Sequence, residues 1–111
     1  MSELRKYTIE FLKLLAHPTR LKILDILRKN NKNSSEIQKE LRRSQSTISK
    51  HLNMLSENNI IDFEKKDNVK YYKIKNLDVF TLLSSINSIV GTLYKEKFKD
   101  IRDVDVIDTL T

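Results

Sequence analysis

Ser44-Gln45-Ser46-Thr47-Ile48-Ser49-Lys50-His51-Leu52-Asn53-Met54-Leu55 is the stretch on which the fold turns. Serine is a preferred helix N-cap, because its hydroxyl accepts a hydrogen bond from a first-turn N–H that has no intrahelical partner, so Ser44 predicts a helix start. Ile48, Leu52 and Leu55 then fall at i, i+4 and i+7 and form one apolar stripe, while Ser46, Lys50 and Asn53 project from the opposite side. Such a helix packs on one face and presents the other. Asn58-Asn59 predicts its end, since asparagine tolerates the left-handed backbone that helix C-termini often need.

Working toward the N-terminus, Leu4, Tyr7, Phe11, Leu14 and Leu15 recur at helical spacing up to His17-Pro18, where the residue before proline disfavours helical backbone. Pro18 suits the first turn of a second helix, whose stripe Leu21, Leu24 and Leu27 runs to about Arg28. Asn30 to Asn33 reads as a polar connection, after which Ser34 or Ser35 caps a short third helix that ends at Leu41 and is buried through Ile37 and Leu41.

Toward the C-terminus the period changes at Ile60. Ile61 and Phe63, a polar Lys65-Lys66-Asp67-Asn68 tip, and Val69 to Ile74 read as a β-hairpin. A last helix begins near Leu77, with Val79, Leu82, Leu83, Ile86, Val90 and Leu93 apolar and Ser84, Ser88 and Gly91 in a small-residue row. With one glycine and one proline in the chain, helices joined by short connections are expected over a sheet-rich fold. The predicted class is mainly α with a small β-hairpin, in the order helix-helix-helix-helix-strand-strand-helix. That is the order of a winged helix-turn-helix, in which the helix just before the hairpin enters the major groove.

A length of 111 residues fits one domain, predicted over 1–96, followed by a C-terminal tail over 97–111. The net charge of +6 suits a polyanionic partner. Residues 1–96 hold 18 basic and 11 acidic side chains, whereas 97–111 hold 3 and 4, so the positive charge belongs to the predicted domain. Cysteine is absent, which excludes disulfides, thiolate metal sites and thiol redox sensing. No continuous apolar run approaches the roughly 18 residues of a membrane span, and the charged N-terminus lacks a secretory apolar stretch, so a cytoplasmic protein without a membrane is expected. A Ser/His/Asp arrangement, a phosphate-cradling glycine loop and a buried carboxylate pair are all missing as patterns, so an enzyme is not expected.

Two segments resemble the ArsR/SmtB family of bacterial and archaeal repressors. Leu15-Ala16-His17-Pro18-Thr19-Arg20-Leu21-Lys22-Ile23-Leu24 looks like the start of that family's second helix, and Ser44 to Leu52 like its recognition helix. The resemblance runs from about Phe11 to Ile74, with Glu57-Asn58-Asn59-Ile60-Ile61 similar to the family's helix exit and Val69-Lys70-Tyr71-Tyr72 to its returning wing strand. It implies a homodimeric DNA-binding repressor, joined through its first and last helices and released from DNA by an inducer. Leu4, Tyr7, Phe11, Phe80, Leu83, Ser84, Asn87, Val90, Gly91 and Tyr94 would then lie at the dimer interface. One departure stands out: the family usually places glycine where Arg42 stands, and a non-glycine residue at positive φ is costly, which puts the turn geometry in doubt.

The residues alone support the same site. Gln45, Ser46 and Thr47 occupy a helix's first turn, where short polar side chains and the positive helix end reach base edges and phosphates. Lys50 and Asn53 continue that face with Ser49 beside them, and the competing reading is a merely solvated polar face. Arg42 and Arg43 before Ser44 fit phosphate contact or plain surface charge. Lys65, Lys66 and Lys70 fit minor-groove or backbone contact, or protection of a sheet edge. Arg20 fits a phosphate contact or an ion pair with a neighbouring helix.

The partners expected are double-stranded DNA, a second copy of the chain, and an unidentified small-molecule or protein effector in a pocket between the first and last helices. Cofactors and metals are not expected. His17 and His51 suit packing or capping better than ligation, and where metal-sensing relatives carry paired cysteines this chain has Asn33, Ser34 and Ser35. Its last helix offers Ser84, Asn87 and Ser88 in place of histidine and acidic ligands. Asp100, Asp103, Asp105 and Asp108 alternate with apolar residues and suit an acidic tail, a dimer extension or a hard-cation site. The reading from a different class is a winged-helix module that binds protein in a transcription or chromatin assembly.

Overall fold

A computed structural model describes residues 2–98, so of the tail predicted over 97–111 only Lys97 and Phe98 are described, and its aspartates lie outside the described residues. The elements run α1 (Glu3–Leu15), α2 (Pro18–Lys29), β1 (Lys32–Asn33), α3 (Ser34–Leu41), α4 (Gln45–Glu57), β2 (Ile61–Lys66), β3 (Val69–Ile74) and α5 (Leu77–Lys97). They form two compact units that divide between Asn76 and Leu77.

In the first unit apolar residues of α2, α3 and α4 meet as one core, whereas Leu21 of the predicted α2 stripe is exposed and Leu41 of α3 is half-buried. Ile23 and Leu24 of α2, Ile37 of α3, and Ile48, Leu52 and Leu55 of α4 are fully buried, with Ile60, Ile61 and Tyr72 from the sheet side. Pro18 stands in the first turn of α2, and the Nδ1 of His17 accepts the Thr19 N–H at 3.1 Å as its N-cap. Ser44 caps α4 as expected: its Oγ accepts the Thr47 N–H at 3.2 Å. At the other end Asn59 takes φ of 60° and the Asn58 side chain donates to the Met54 carbonyl at 2.8 Å.

Three local expectations are corrected. Asn33, rather than Ser34 or Ser35, caps α3: its Oδ1 accepts the Glu36 N–H at 2.9 Å, and Glu36 Oε1 accepts the Asn33 N–H at 3.0 Å, a reciprocal capping box. The connection before α3 also contains a short strand, β1, which pairs antiparallel with β3 through Lys32↔Tyr72 and Asn33↔Tyr71, so the sheet has three strands in the order β1-β3-β2. Finally, Lys65 and Lys66 belong to β2 and not to the hairpin tip. The turn is Asp67-Asn68 alone, with φ of 51° and 65°, the paired positive φ that a tight two-residue hairpin requires.

The second unit is α5 in its described part. Val79 and Leu83 are buried, while Leu77, Ile89, Leu93 and Tyr94 are exposed. At 21 residues, α5 is long and apolar enough to cross a membrane by length and composition alone, although serines, threonines and an asparagine interrupt its apolar run.

Candidate nucleic-acid interface

The exposed side of α4 is a single stripe. Ser46, Lys50 and Asn53 are exposed at i, i+4 and i+7, and Ile48, His51, Leu52 and Leu55 are buried on the reverse. Gln45 is exposed at the N-terminal end, where its Nε2 donates to Ser49 Oγ at 3.1 Å, and Thr47 and Ser49 are half-buried at the edges. Glu57, absent from the residues predicted for this face, occupies the next helical repeat of the stripe and is also exposed. At 1.5 Å rise per residue it lies about 16 Å along the axis from Ser46. The N-terminal part of this stripe is therefore polar and cationic, and its far end is acidic.

The turn leading into α4 keeps the geometry that the sequence had put in doubt. Arg42 adopts φ 55° and ψ 47°, the left-handed region, and the Arg43 N–H reaches back to the Gln38 carbonyl at 3.2 Å to close α3. Holding a non-glycine residue there costs about 1 kcal/mol or more. Arg42, Arg43 and Ser44 are all exposed, so the arginines flank the positive end of α4 directly. Ser44 Oγ also donates to Thr47 Oγ1 at 2.9 Å, which fixes these hydroxyls as a small network at the helix end. The N–H groups of Gln45 and Ser46, in the first turn, have no acceptor within a helix.

The hairpin β2–β3 splits the three predicted wing lysines between its faces. Lys65 and Lys70 are opposite each other on one face, together with Phe63 and Tyr72, and Lys66 lies on the other with Val69 and Tyr71. Lys70 Nζ sits 4.6 Å from the Phe63 ring centroid, and Lys66 Nζ 5.8 Å from that of Tyr71. The acidic residue in the middle of the hairpin is already engaged: Lys73 Nζ donates to Glu64 Oε1 at 2.6 Å. That hydrogen bond and charge pairing hold the Glu64 carboxyl below its ordinary value and raise the Lys73 ammonium above its own. The strand ends beside the tip thus carry Lys65, Lys66 and Lys70, with the exposed Asp67 in the turn itself.

Behind the stripe, α4 is tied to α2. Arg20 Nη1 donates to the Met54 thioether at 2.9 Å, which is neither the phosphate contact nor the ion pair expected from sequence. His51 is buried against His17, with ring centroids 4.5 Å apart and planes tilted by 45°. Both histidines pack or cap, and among the described residues no group of three or more histidine, aspartate or glutamate side chains is placed to hold a metal ion.

For the predicted interface residues, Leu4 and Tyr7 are exposed, and Phe11 is half-buried beside them. They line a groove of about 430 Å³ along α1 that is completed by Thr8, Glu10, Leu14 and Asn58. On α5, Tyr94, Asn87 and Ser84 are exposed and Phe80, Val90 and Gly91 half-buried, whereas Leu83 is buried within the chain and is not presented to a partner.

With this geometry in hand, known proteins of the same kind are identifiable. Residues 17–62 match the family described as "Bacterial regulatory protein, arsR family". The chain is 32% identical over 83 residues to the transcriptional repressor SdpR of Bacillus subtilis (strain 168), spanning 75% of this chain and 89% of SdpR. The crystal structure of M. tuberculosis Rv0081 superposes with a TM-score of 0.83 at 24% identity, covering 87% of this chain and 98% of that one. A homodimeric winged helix-turn-helix DNA-binding domain from Mycobacterium bovis, Mb0332, superposes with a TM-score of 0.75 at 21% identity, covering 86% of this chain and 93% of its own.

Proposed function

The chain belongs to the arsR family of bacterial regulatory proteins and is a DNA-binding transcriptional regulator, and from that premise we propose that it is a homodimeric repressor acting in the cytoplasm on a palindromic operator. The observation that carries this reading is the stripe Ser46, Lys50 and Asn53, exposed on a helix whose reverse face is buried and whose N-terminal end is flanked by Arg42 and Arg43. Gln45, Ser46, Lys50 and Asn53 read base edges in the major groove, with Thr47 and Ser49 at its margin. Arg42, Arg43, Ser44 and the first-turn N–H groups hold phosphates. Lys65, Lys66 and Lys70 grip the backbone or minor groove from the wing.

Two copies place two such helices in successive major grooves about one helical turn apart, so the operator is a palindrome. The apolar faces of α1 and α5 each turn toward the partner copy, and an effector acts at that interface. The likeness to a named repressor supports repression, and the homodimeric state named for Mb0332 supports the dimer.

The test is selection of bound duplexes from a random pool by the full chain, followed by footprinting. An enriched inverted repeat with half-sites about 10 base pairs apart supports the proposal. Recovery of only unrelated sequences, bound without symmetry, refutes it.

A further inference from the structure

We propose that His17 and His51 form an acid-sensitive latch between the start of α2 and the recognition helix α4, closed while both imidazoles are neutral and opened by protonation. His17 serves its helix through a bare Nδ1, which accepts the Thr19 N–H at 3.1 Å. An imidazolium has no acceptor nitrogen, so protonation at Nδ1 removes the N-cap of α2. His51 is 6% exposed, its Nδ1 is buried without a hydrogen-bond partner, and its ring lies 4.5 Å from that of His17.

Among the described residues, the charged and titratable groups that act on His51 are His17 and Arg20 from α2 and Lys50 from its own helix. Burial first, then His17, Arg20 and Lys50, hold the His51 imidazole below its ordinary value of 6.5. The native state therefore binds fewer protons than the unfolded chain. Stability is full above about pH 6.5 and declines as pH falls below it.

The latch lies under the reading surface. His51 follows Lys50 directly in the chain, and the Arg20–Met54 contact at 2.9 Å is the neighbouring tie between the same two helices. Opening it loosens α4 against α2, so acidification lowers DNA affinity. That consequence rests on α4 being the reading helix; the latch itself does not.

The experiment follows thermal unfolding of the full chain without DNA from pH 8 to pH 5, for the parent, His17→Asn, His51→Leu and the double variant. Asparagine keeps a capping oxygen without titrating. The parent melting temperature is expected to fall by about 4 to 8 °C across this range, and the double variant to lose most of that fall. His17→Asn alone should lose part of it, which keeps a readout if His51→Leu does not fold. In the second arm, affinity for a selected duplex at constant ionic strength should drop roughly tenfold more in the parent than in His17→Asn between pH 7.5 and pH 5.5.

Equal pH slopes for parent and His17→Asn, or the His51 imidazole titrating by NMR at the free histidine value, overturn the latch. Failure to bind any duplex at pH 7.5 would instead defeat the DNA-reading role of α4, and the unfolding arm would still decide the latch.

Discussion

Lys65 stands directly opposite Lys70 across the antiparallel β2–β3 pair, two like charges at the exposed end of the wing. Like charges in this position destabilise a hairpin, by a few tenths of a kcal/mol to about 1 kcal/mol, and a phosphate between them relieves the repulsion. Lys65→Ala is accordingly expected to leave the free protein equally or slightly more stable while lowering affinity for operator and random duplex by the same factor. The slope of log affinity against log salt should flatten by about 0.9 for each wing lysine removed, Lys66 and Lys70 included. Titrations at several salt concentrations decide it: an unchanged slope in all three variants removes the wing from the interface.

Lys50→Ala should behave differently. Lys50 is exposed in the middle of the α4 stripe, between Ser46 and Asn53, the position proposed above to meet base edges. A lost base contact costs about 1 to 3 kcal/mol of discrimination. Operator affinity should therefore fall by at least about tenfold more than affinity for random duplex. A uniform loss on both would mark Lys50 as a phosphate contact.

The elements that depended on local chemistry were readable from the chain. Pro18, Ser44 and Asn59 each act within a few residues of themselves, and each marks its boundary as expected. Part of what escaped depends on distant partners. The two-residue strand β1 exists only because Tyr71 and Tyr72 pair with it, and the Arg20–Met54 contact spans 34 positions. The cap of α3 was a choice among adjacent polar residues, decided by Glu36 three places after Asn33. Glu57 is legible in the sequence by continuing the spacing of Ser46, Lys50 and Asn53 one repeat further. Lys65 and Lys66 fall in the strand and not the tip because Asp67-Asn68 suffices for the turn.

Arg42 sets stability against binding. Its φ of 55° carries a backbone cost that glycine does not, so Arg42→Gly should stabilise the free protein, by about 0.5 to 1 kcal/mol after the added flexibility of the unfolded chain is subtracted. The same substitution removes a guanidinium beside the α4 N-terminus, and affinity for every duplex should drop. Chemical denaturation together with duplex titration checks both signs. A destabilised Arg42→Gly protein would show that the arginine side chain contributes more to the turn than its backbone costs.

The capping box of α3 yields a prediction confined to stability. Asn33→Ala removes the oxygen that accepts the Glu36 N–H at 2.9 Å, and loss of such a cap costs about 1 kcal/mol. Because α3 packs against α4 through the buried Ile37, the melting temperature should fall by about 4 to 8 °C. Asn33→Asp, which keeps the acceptor, should retain most of the parent stability, and thermal unfolding of the pair separates capping from any other role of the side chain.

Dimerisation is tested at α1. Leu4 is 77% exposed and Tyr7 69%, on the face that carries Phe11 and Leu14, and this much apolar surface on one helix favours burial against a partner copy. Tyr7→Asp places an unpaired carboxylate in that face and is expected to shift the protein from dimer to monomer at micromolar concentration in sedimentation. A palindromic operator bound by a dimer gains from two half-sites in one event, whereas a monomer must occupy each separately. Operator affinity should therefore collapse toward that of a single half-site, and the melting temperature should fall and lose its dependence on protein concentration, because the burial that Tyr7 contributes lies against the partner copy. A Tyr7→Asp protein that remains dimeric and binds both half-sites cooperatively would move the interface away from this part of α1.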